Sequence, residues 1–279
     1  LKRLRGGGKS TDRATAGARQ MKLLRSLPRI LRFIPGTAQD VRAYFLTLQY
    51  WLSGSEENVA NMVRYLVDRY AAGERAVLRG KLKYAGPADY PEVGVYHPRL
   101  KSRIGVDASR LPSRPDAQGT VGLLVLRSYV LAGNSAHYDG VIAAMEAQGL
   151  NVVPAFSSGL DSRPAIEQFF TRDGRSTVDA LVSLTGFSLV GGPAYNDARA
   201  AEQVLVQLDV PYVAAHPLEF QTIDQWATSD RGLMPVENTI MVAIPELDGA
   251  TNPMIFGGRL AAGGKSGAPA SASRDRADA

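Results

Sequence analysis

The period of apolar and polar positions changes once along the chain, from helical spacing to alternating strands and helices. Between Gln20 and Ile34, the residues Leu24, Leu27, Leu31 and Ile34 repeat at helical spacing, while Lys22, Arg25, Arg29 and Arg32 fall on the opposite arc. This predicts a basic amphipathic stretch, weakened by Pro28. A solvated helix face, a docking face, a membrane-surface segment and a transit peptide share the pattern, and the solvated face is favoured. Thr37 with Asp40 resembles a capping box, and the apolar-rich run Val41 to Leu52 then stops at Gly54. Ser55, followed by Glu56 and Glu57, opens a second helix whose stripe is Val59, Met62, Val63, Leu66 and Tyr70. Two helices joined so briefly predict a hairpin, with Tyr44, Phe45, Tyr50, Trp51 and Tyr65 read as core in preference to a cage for a flat ligand.

From Lys81 to Gly119 five prolines interrupt any period, which predicts a connector with one short strand near Val93 to Tyr96. Beyond Gly119, strands are expected at TVGLLVL from Thr120, NVVPAF from Asn151, VDALVSL from Val178, PYVAA from Pro211 and NTIMVAI from Asn238. Helices are expected between them, at Ser135 to Gln148, near Arg163 to Phe170, and at Asp197 to Leu208. Continuous apolar strands alternating with amphipathic helices imply a parallel sheet covered on both faces. The expected fold is α/β: a parallel, doubly wound, flavodoxin- or Rossmann-like sheet preceded by a helical hairpin. The expected organisation is a helical segment (1–80), a connector (81–119), an α/β domain (120–258) and a flexible tail or cut loop (259–279).

The 279 residues are 45% hydrophobic and 21% charged, the balance of a soluble globular protein with a sizeable core. No apolar run reaches membrane-spanning length and no cleavable leader opens the chain, so a cytoplasmic location is the default expectation. The absence of a starting Met and the small-residue final stretch read as cuts within something longer. With no cysteine, disulfides and thiolate metal sites are excluded. Of the net charge of +5, the first 36 residues carry +9 and the remainder −4. The basicity therefore belongs to one segment, and nucleic-acid binding by the whole protein is not supported.

In an open parallel sheet, ligands lie beyond the carboxyl ends of the strands. The loops there carry Arg127 and Tyr129, then His137 and Tyr138, then Asp161 and Arg163, and finally His216. Arg127, His137, Tyr138 and His216 are the candidate binding residues, expected to face one crevice; for each histidine alone, a structural role is the commoner outcome. Glu246 and Asp248 in IPELDG offer oxygens of the kind magnesium prefers, although Asp-Gly reads first as a turn. GGGKS and GGKS fail as phosphate loops, because Arg3 and Arg259 stand where the first glycine is needed, so no ATP site is expected. The cluster Gly186, Gly191 and Gly192 is not GxGxxG and reads as a wide turn.

Several long runs resemble the large, porphyrin-binding subunits of the magnesium chelatase and cobaltochelatase family. They include RGGGKSTDR, LRFIPGTAQDVRAYFL, GSEENVANMVRYL from Gly54, LLVLRSY, HYDGVIAAMEAQGL, GLDSRPAIEQFF, VDALVSLTGFSLVGGPA from Val178, LDVPYVAAHPLEFQT and IPELDG from Ile244. The resemblance implies an internal fragment of a subunit that inserts Mg2+ into protoporphyrin IX in chlorophyll and bacteriochlorophyll synthesis. It further implies two AAA+ partner subunits that hydrolyse ATP, and a location in the cytoplasm or peripheral to photosynthetic membranes. Basic groups such as Arg127 and Arg163 would meet the propionates, and a histidine or carboxylate would accept pyrrole protons. The family's acidic motif, a His-Gly followed by Leu-Glu-Trp and a Pro-Gly-Lys, is not found in these residues, so the fragment alone is expected to be inactive. The rival readings are a noncatalytic ligand-binding or docking module and, more weakly, an independent nucleotide-binding α/β protein.

Overall fold

The computed structural model describes residue 28, residues 30–250 and 253–260, and the backbone of 270–272. Most of the basic amphipathic stretch, together with GGGKS and GGKS, lies outside the described residues. The chain divides into two compact units, 1–90 and 91–279.

In the first unit, α1 (Ala38–Ser53) and α2 (Glu56–Tyr70) form the hairpin that the periodicity predicts. Gly54 ends α1 in the left-handed conformation that glycine adopts without a Cβ clash, at φ 61°. Ser55 caps α2 by accepting the Asn58 N–H. Thr37, by contrast, makes no side-chain capping bond to α1. The buried side of α2 is also rotated from the expected stripe: Asn58, Asn61 and Tyr65 are buried, whereas Val63 and Tyr70 are exposed. The physical reason is polar. Asn58 accepts the Ala88 N–H at 2.8 Å and donates to the Ala88 carbonyl at 2.9 Å, and Asn61 accepts the Ala85 N–H at 3.1 Å. These amides satisfy the backbone of the Pro-rich segment that follows, while Ala43, Tyr50 and Tyr65 supply the apolar contact.

The second unit is built on an eight-stranded mixed sheet. Its centre is five parallel strands: β3 (Gly119–Leu124), β4 (Leu150–Ser157), β7 (Ala180–Ser183), β10 (Tyr212–Thr222) and β11 (Met254–Arg259). The antiparallel strands β1 (Val93–Tyr96), β2 (Ile104–Gly105) and β12 (Ala270–Ala272) flank them, and the full order is β12-β11-β10-β7-β3-β4-β1-β2. Two minor hairpins are made by β5 (Thr171–Arg172) with β6 (Arg175–Ser176), and by β8 (Gly191–Gly192) with β9 (Tyr195–Asn196).

Alternation along the strands separates two cores. Leu124 and Ala155 pack with Ala165, Ile166, Ala201 and Leu208 of α5 (Arg163–Phe169) and α6 (Ala198–Leu208). Leu123 and Phe156 face the other way, onto Val130, Tyr138, Val141 and Ile142 of α3 (Arg127–Leu131) and α4 (Ala136–Ala147). The sheet is therefore covered on both sides.

One expected strand is absent from its place. Asn238–Ala243, within NTIMVAI, forms a π-helical turn between α8 (Pro235–Glu237) and α9 (Ile244–Glu246), after the short α7 (Ile223–Ala227). The β-branched run suggested a strand, but Pro235 and Pro245 each sit at a helix start, and Met241 alone of the π turn is buried. The fifth parallel strand is β11, whose Gly257 and Gly258 mask its strand character in the sequence. A Cβ at Gly258 would lie 2.6 Å from the Leu218 Cβ, so glycine is required by the close approach of β10.

Candidate functional site

Strand order decides where a ligand can sit. β3 and β4 are joined through helices on one face, and β7 returns to the other side of β3, so loops diverge between β3 and β7 at their carboxyl ends. A cleft opens there, lined by Leu126, Phe156, Ser157, Ser162, Thr185 and Ser188 among others. It is narrow, with room for about one ordered water. The hydroxyls are largely occupied by local bonds: Ser157 donates to the Asp161 carbonyl, and Thr185 pairs with Ser183 at 3.0 Å. A cleft this narrow admits nothing larger than a water-sized group.

The four candidate residues are not brought together around one open crevice. Arg127, half-buried at the start of α3, donates from Nε to the Pro91 carbonyl at 2.8 Å. Tyr138 is fully buried, and its hydroxyl accepts the Leu126 N–H at 3.2 Å, which fixes the loop that delivers Arg127. His137 is also fully buried, its ring centroid 3.9 Å from Tyr138, 5.4 Å from Tyr129 and 5.8 Å from Phe256. His216 lies on β10 next to Ala215, which packs with Tyr138 and Phe256; alternation turns His216 to the opposite face. There its Cβ meets the space above Gly186, beside Met241. Among the described residues, both nitrogens of both rings lack hydrogen-bond partners, and burial pulls each imidazole down to about 4, so both are neutral at pH 7. The expected single crevice fails because a helix and a strand present these histidines to different faces of the sheet.

Other expected groups are committed locally. Arg163 forks onto Asp161, with Nε–Oδ1 at 2.9 Å and Nη2–Oδ2 at 2.6 Å. Glu246 is exposed while Asp248 is buried, and a turn closes between them, with the Gly249 N–H donating to the Glu246 carbonyl. Asp248 instead accepts the Leu189 N–H at 2.9 Å, holding the loop after β7; burial raises its pKa. Among the described residues, no group of three or more His, Asp or Glu side chains is arranged to hold a metal ion. Gly191 and Gly192 form the β8–β9 hairpin, and a Cβ on Gly191 would lie 2.1 Å from the Tyr195 oxygen.

A second cluster at the carboxyl edge was not apparent from the sequence. β10 pairs with β7 only through Ala214, and its remaining half projects along β11. On that projection the Tyr129 hydroxyl donates to the Glu219 carboxylate, and Arg259 Nη1 donates to the Glu219 carbonyl at 3.1 Å. Glu237, wholly buried on α8, accepts the N–H groups of Glu219 and Phe220, each at 3.0 Å. Its other carboxylate oxygen has no hydrogen-bond partner among the described residues. Burial raises the pKa of Glu219 and the Glu237 charge adds to this, while Tyr129 and Arg259 oppose it. The only sequence signal was an acid inside an apolar strand, Leu218-Glu219-Phe220.

These features define a mixed α/β protein with a mostly parallel sheet and a polar carboxyl edge. Residues 48–279 match the CobN/Magnesium Chelatase family, and residues 1–45 match a domain of unknown function (DUF3479). The chain belongs to the CobN/magnesium chelatase family. It is 56% identical over 96% of its length to the magnesium-chelatase H subunit of Cereibacter sphaeroides, covering 22% of that protein. It is 38% identical over 88% of its length to the chloroplastic magnesium-chelatase subunit ChlH of Oryza sativa subsp. japonica, covering 18% of it. Aerobic cobaltochelatase subunit CobN of Pseudomonas aeruginosa is 28% identical over 75% of the chain, which covers 16% of that relative. The solved catalytic subunit of cobaltochelatase from Mycobacterium tuberculosis superposes with a TM-score of 0.57 at 22% identity, over 85% of this chain and 18% of that one. That likeness concerns the fold alone. The chain thus spans about a fifth of the length of the curated relatives it matches.

Proposed function

We propose that this chain is part of the porphyrin-binding subunit of a magnesium chelatase, which inserts Mg2+ into protoporphyrin IX while two AAA+ partner subunits hydrolyse ATP. The observation that carries the reading is 56% identity over 96% of the chain to a magnesium-chelatase H subunit, against 28% to a cobaltochelatase subunit. Mg2+ and the porphyrin are read as substrates of the whole subunit. The parallel core follows the order second-first-third-fourth-fifth, as in a doubly wound, flavodoxin-like sheet, which supports a ligand at the carboxyl edge. No described helix is long and apolar enough to cross a membrane, and the subunit is read as cytoplasmic or peripheral to a photosynthetic membrane.

On this reading the porphyrin lies across the outer edge of the sheet. Arg127 is the proposed partner of a propionate, while Tyr138 and His137 back its loop from one face of the sheet and His216 lies on the other. A guanidinium suits a propionate because it binds carboxylates in a planar, paired geometry. The test is reconstitution of the complete subunit with its partners, following insertion into protoporphyrin IX with Mg2+ and with Co2+. ATP-dependent formation of Mg-protoporphyrin is the expected result; cobalt insertion into another tetrapyrrole, with none of magnesium, would overturn the reading.

A further inference from the structure

We propose that Glu219, held by Glu237 and bonded by Tyr129, is the group on this chain that accepts a pyrrole proton as the metal enters the macrocycle. The inference rests on the porphyrin-binding reading above and goes beyond it by assigning a residue and a step.

Four observations converge on Glu219. The first is position: it stands on the half of β10 that runs past the end of β7, on the carboxyl edge, with Phe220 beside it 55% exposed and Leu260 just beyond β11 49% exposed. An apolar macrocycle face needs such surface, and Glu219 supplies a carboxylate on the same edge of the sheet. The second is accessibility, since Glu219 is half-buried whereas Glu237 is sealed. The third is the cost of the support. Glu237 keeps one oxygen without a hydrogen-bond partner among the described residues in a fully buried position, which costs the fold stability. Its other oxygen takes two successive N–H groups of β10, tying down the segment that carries Glu219, whose carboxylate accepts from Tyr129. The fourth is the charge setting. Arg259 donates to the Glu219 backbone carbonyl at 3.1 Å, so its positive field acts on the carboxylate from the main-chain side and leaves that group able to take a proton.

Facing Glu219 are therefore Tyr129 from α3, Glu237 from α8 and Arg259 from β11, with His137 of α4 reaching Tyr129 edge to face. Burial and Glu237 favour the protonated form of Glu219, and Tyr129 and Arg259 favour the charged form. In the step itself, a pyrrole N–H bond breaks and its electron pair remains on nitrogen to bind the incoming metal. The proton passes to a Glu219 oxygen, giving the neutral acid, which later returns it to water. Tyr129 keeps its own proton and acts by orienting the carboxylate.

The test uses the complete subunit assembled with its ATP-hydrolysing partners. Glu219→Gln is predicted to leave porphyrin affinity, read by fluorescence quenching, within about threefold, and to lower metal-insertion turnover by at least about 100-fold. Tyr129→Phe removes a bond that favours the charged form, so the acidic limb of the turnover–pH profile moves to higher pH. Turnover of Glu219→Gln within threefold of the parent would overturn the assignment, as would loss of porphyrin affinity in that variant with folding intact, or an unshifted profile in Tyr129→Phe. Failure of the parent subunit to bind protoporphyrin IX would instead strike the underlying functional reading, so the two failures are distinguishable.

Discussion

Acid should unfold the second unit through its two buried imidazoles. Among the described residues His137 and His216 have no hydrogen-bond partners at either nitrogen, and they are neutral in the fold, with pKa values lowered from 6.5 to about 4 by burial. In the unfolded chain they titrate near 6.5, so between pH 6.5 and 4 the unfolded state binds more protons and stability falls with pH. The full contribution is present above pH 6.5. At pH 4.5 each histidine removes about 2.5 kcal/mol, and the pair about 5, which is comparable with the whole stability of many domains. The side chains occupy opposite faces of the sheet, so their effects should add. His97 has the same sign, and Glu219 and Asp248, raised by burial, have the opposite one. A comparison of variants with the parent cancels these common contributions. Urea unfolding of the chain at pH 7.5 and 4.5 is the assay. His137→Leu removes two unsatisfied nitrogens and should change stability at pH 7.5 by about 1 kcal/mol or less, while reducing the loss on acidification by about 2.5. His216→Leu should do the same, and the double variant should recover about 5. An acid loss identical in parent and double variant would refute the reasoning.

Three packing predictions complete the set. Asn58→Ala should cost about 2–3 kcal/mol by leaving both Ala88 backbone groups without their partner, and proteolysis near residues 85–88 should accelerate. Gly94→Ala should cost about 1–3 kcal/mol, because the new Cβ would lie 2.7 Å from the Gly105 oxygen and 2.8 Å from the Phe156 ring; a thermal midpoint equal to the parent would contradict it. Asp248→Asn keeps an acceptor for the Leu189 N–H and should be tolerated at neutral pH, whereas Asp248→Ala should lose about 1–3 kcal/mol in denaturant melts.

Much of the fold was legible because period and punctuation agreed. The strand at Val121–Leu124, the helix ended near Gly149 and the Asp197 cap before Ala198 were each signalled by local chemistry. NTIMVAI misled because β-branched residues favour strands locally, while the flanking prolines and the burial of Met241 beside Gly186 favour a helical turn. MIFGGR was overlooked because its two glycines look like a loop until the close approach of Leu218 is seen. At the site, the loops carrying Arg127 and Arg163 could be located from strand ends. Their engagement with Pro91 and Asp161, and the opposite-face placement of His137 and His216, depend on side-chain direction. The Glu219–Glu237 arrangement joins residues 18 apart through a strand and a helix, and no local spacing encodes it.

The central claim is that the carboxyl edge of this sheet faces a tetrapyrrole in the complete subunit. Hydrogen–deuterium exchange of that subunit with and without protoporphyrin IX tests it most directly. The account predicts ligand-dependent protection in the loop after β3 around Leu126–Tyr129 and in the projecting end of β10 around Glu219–Thr222, with little change in the β5–β6 hairpin. Protection confined to parts of the subunit outside this chain, with both carboxyl-edge segments exchanging as before, would contradict it.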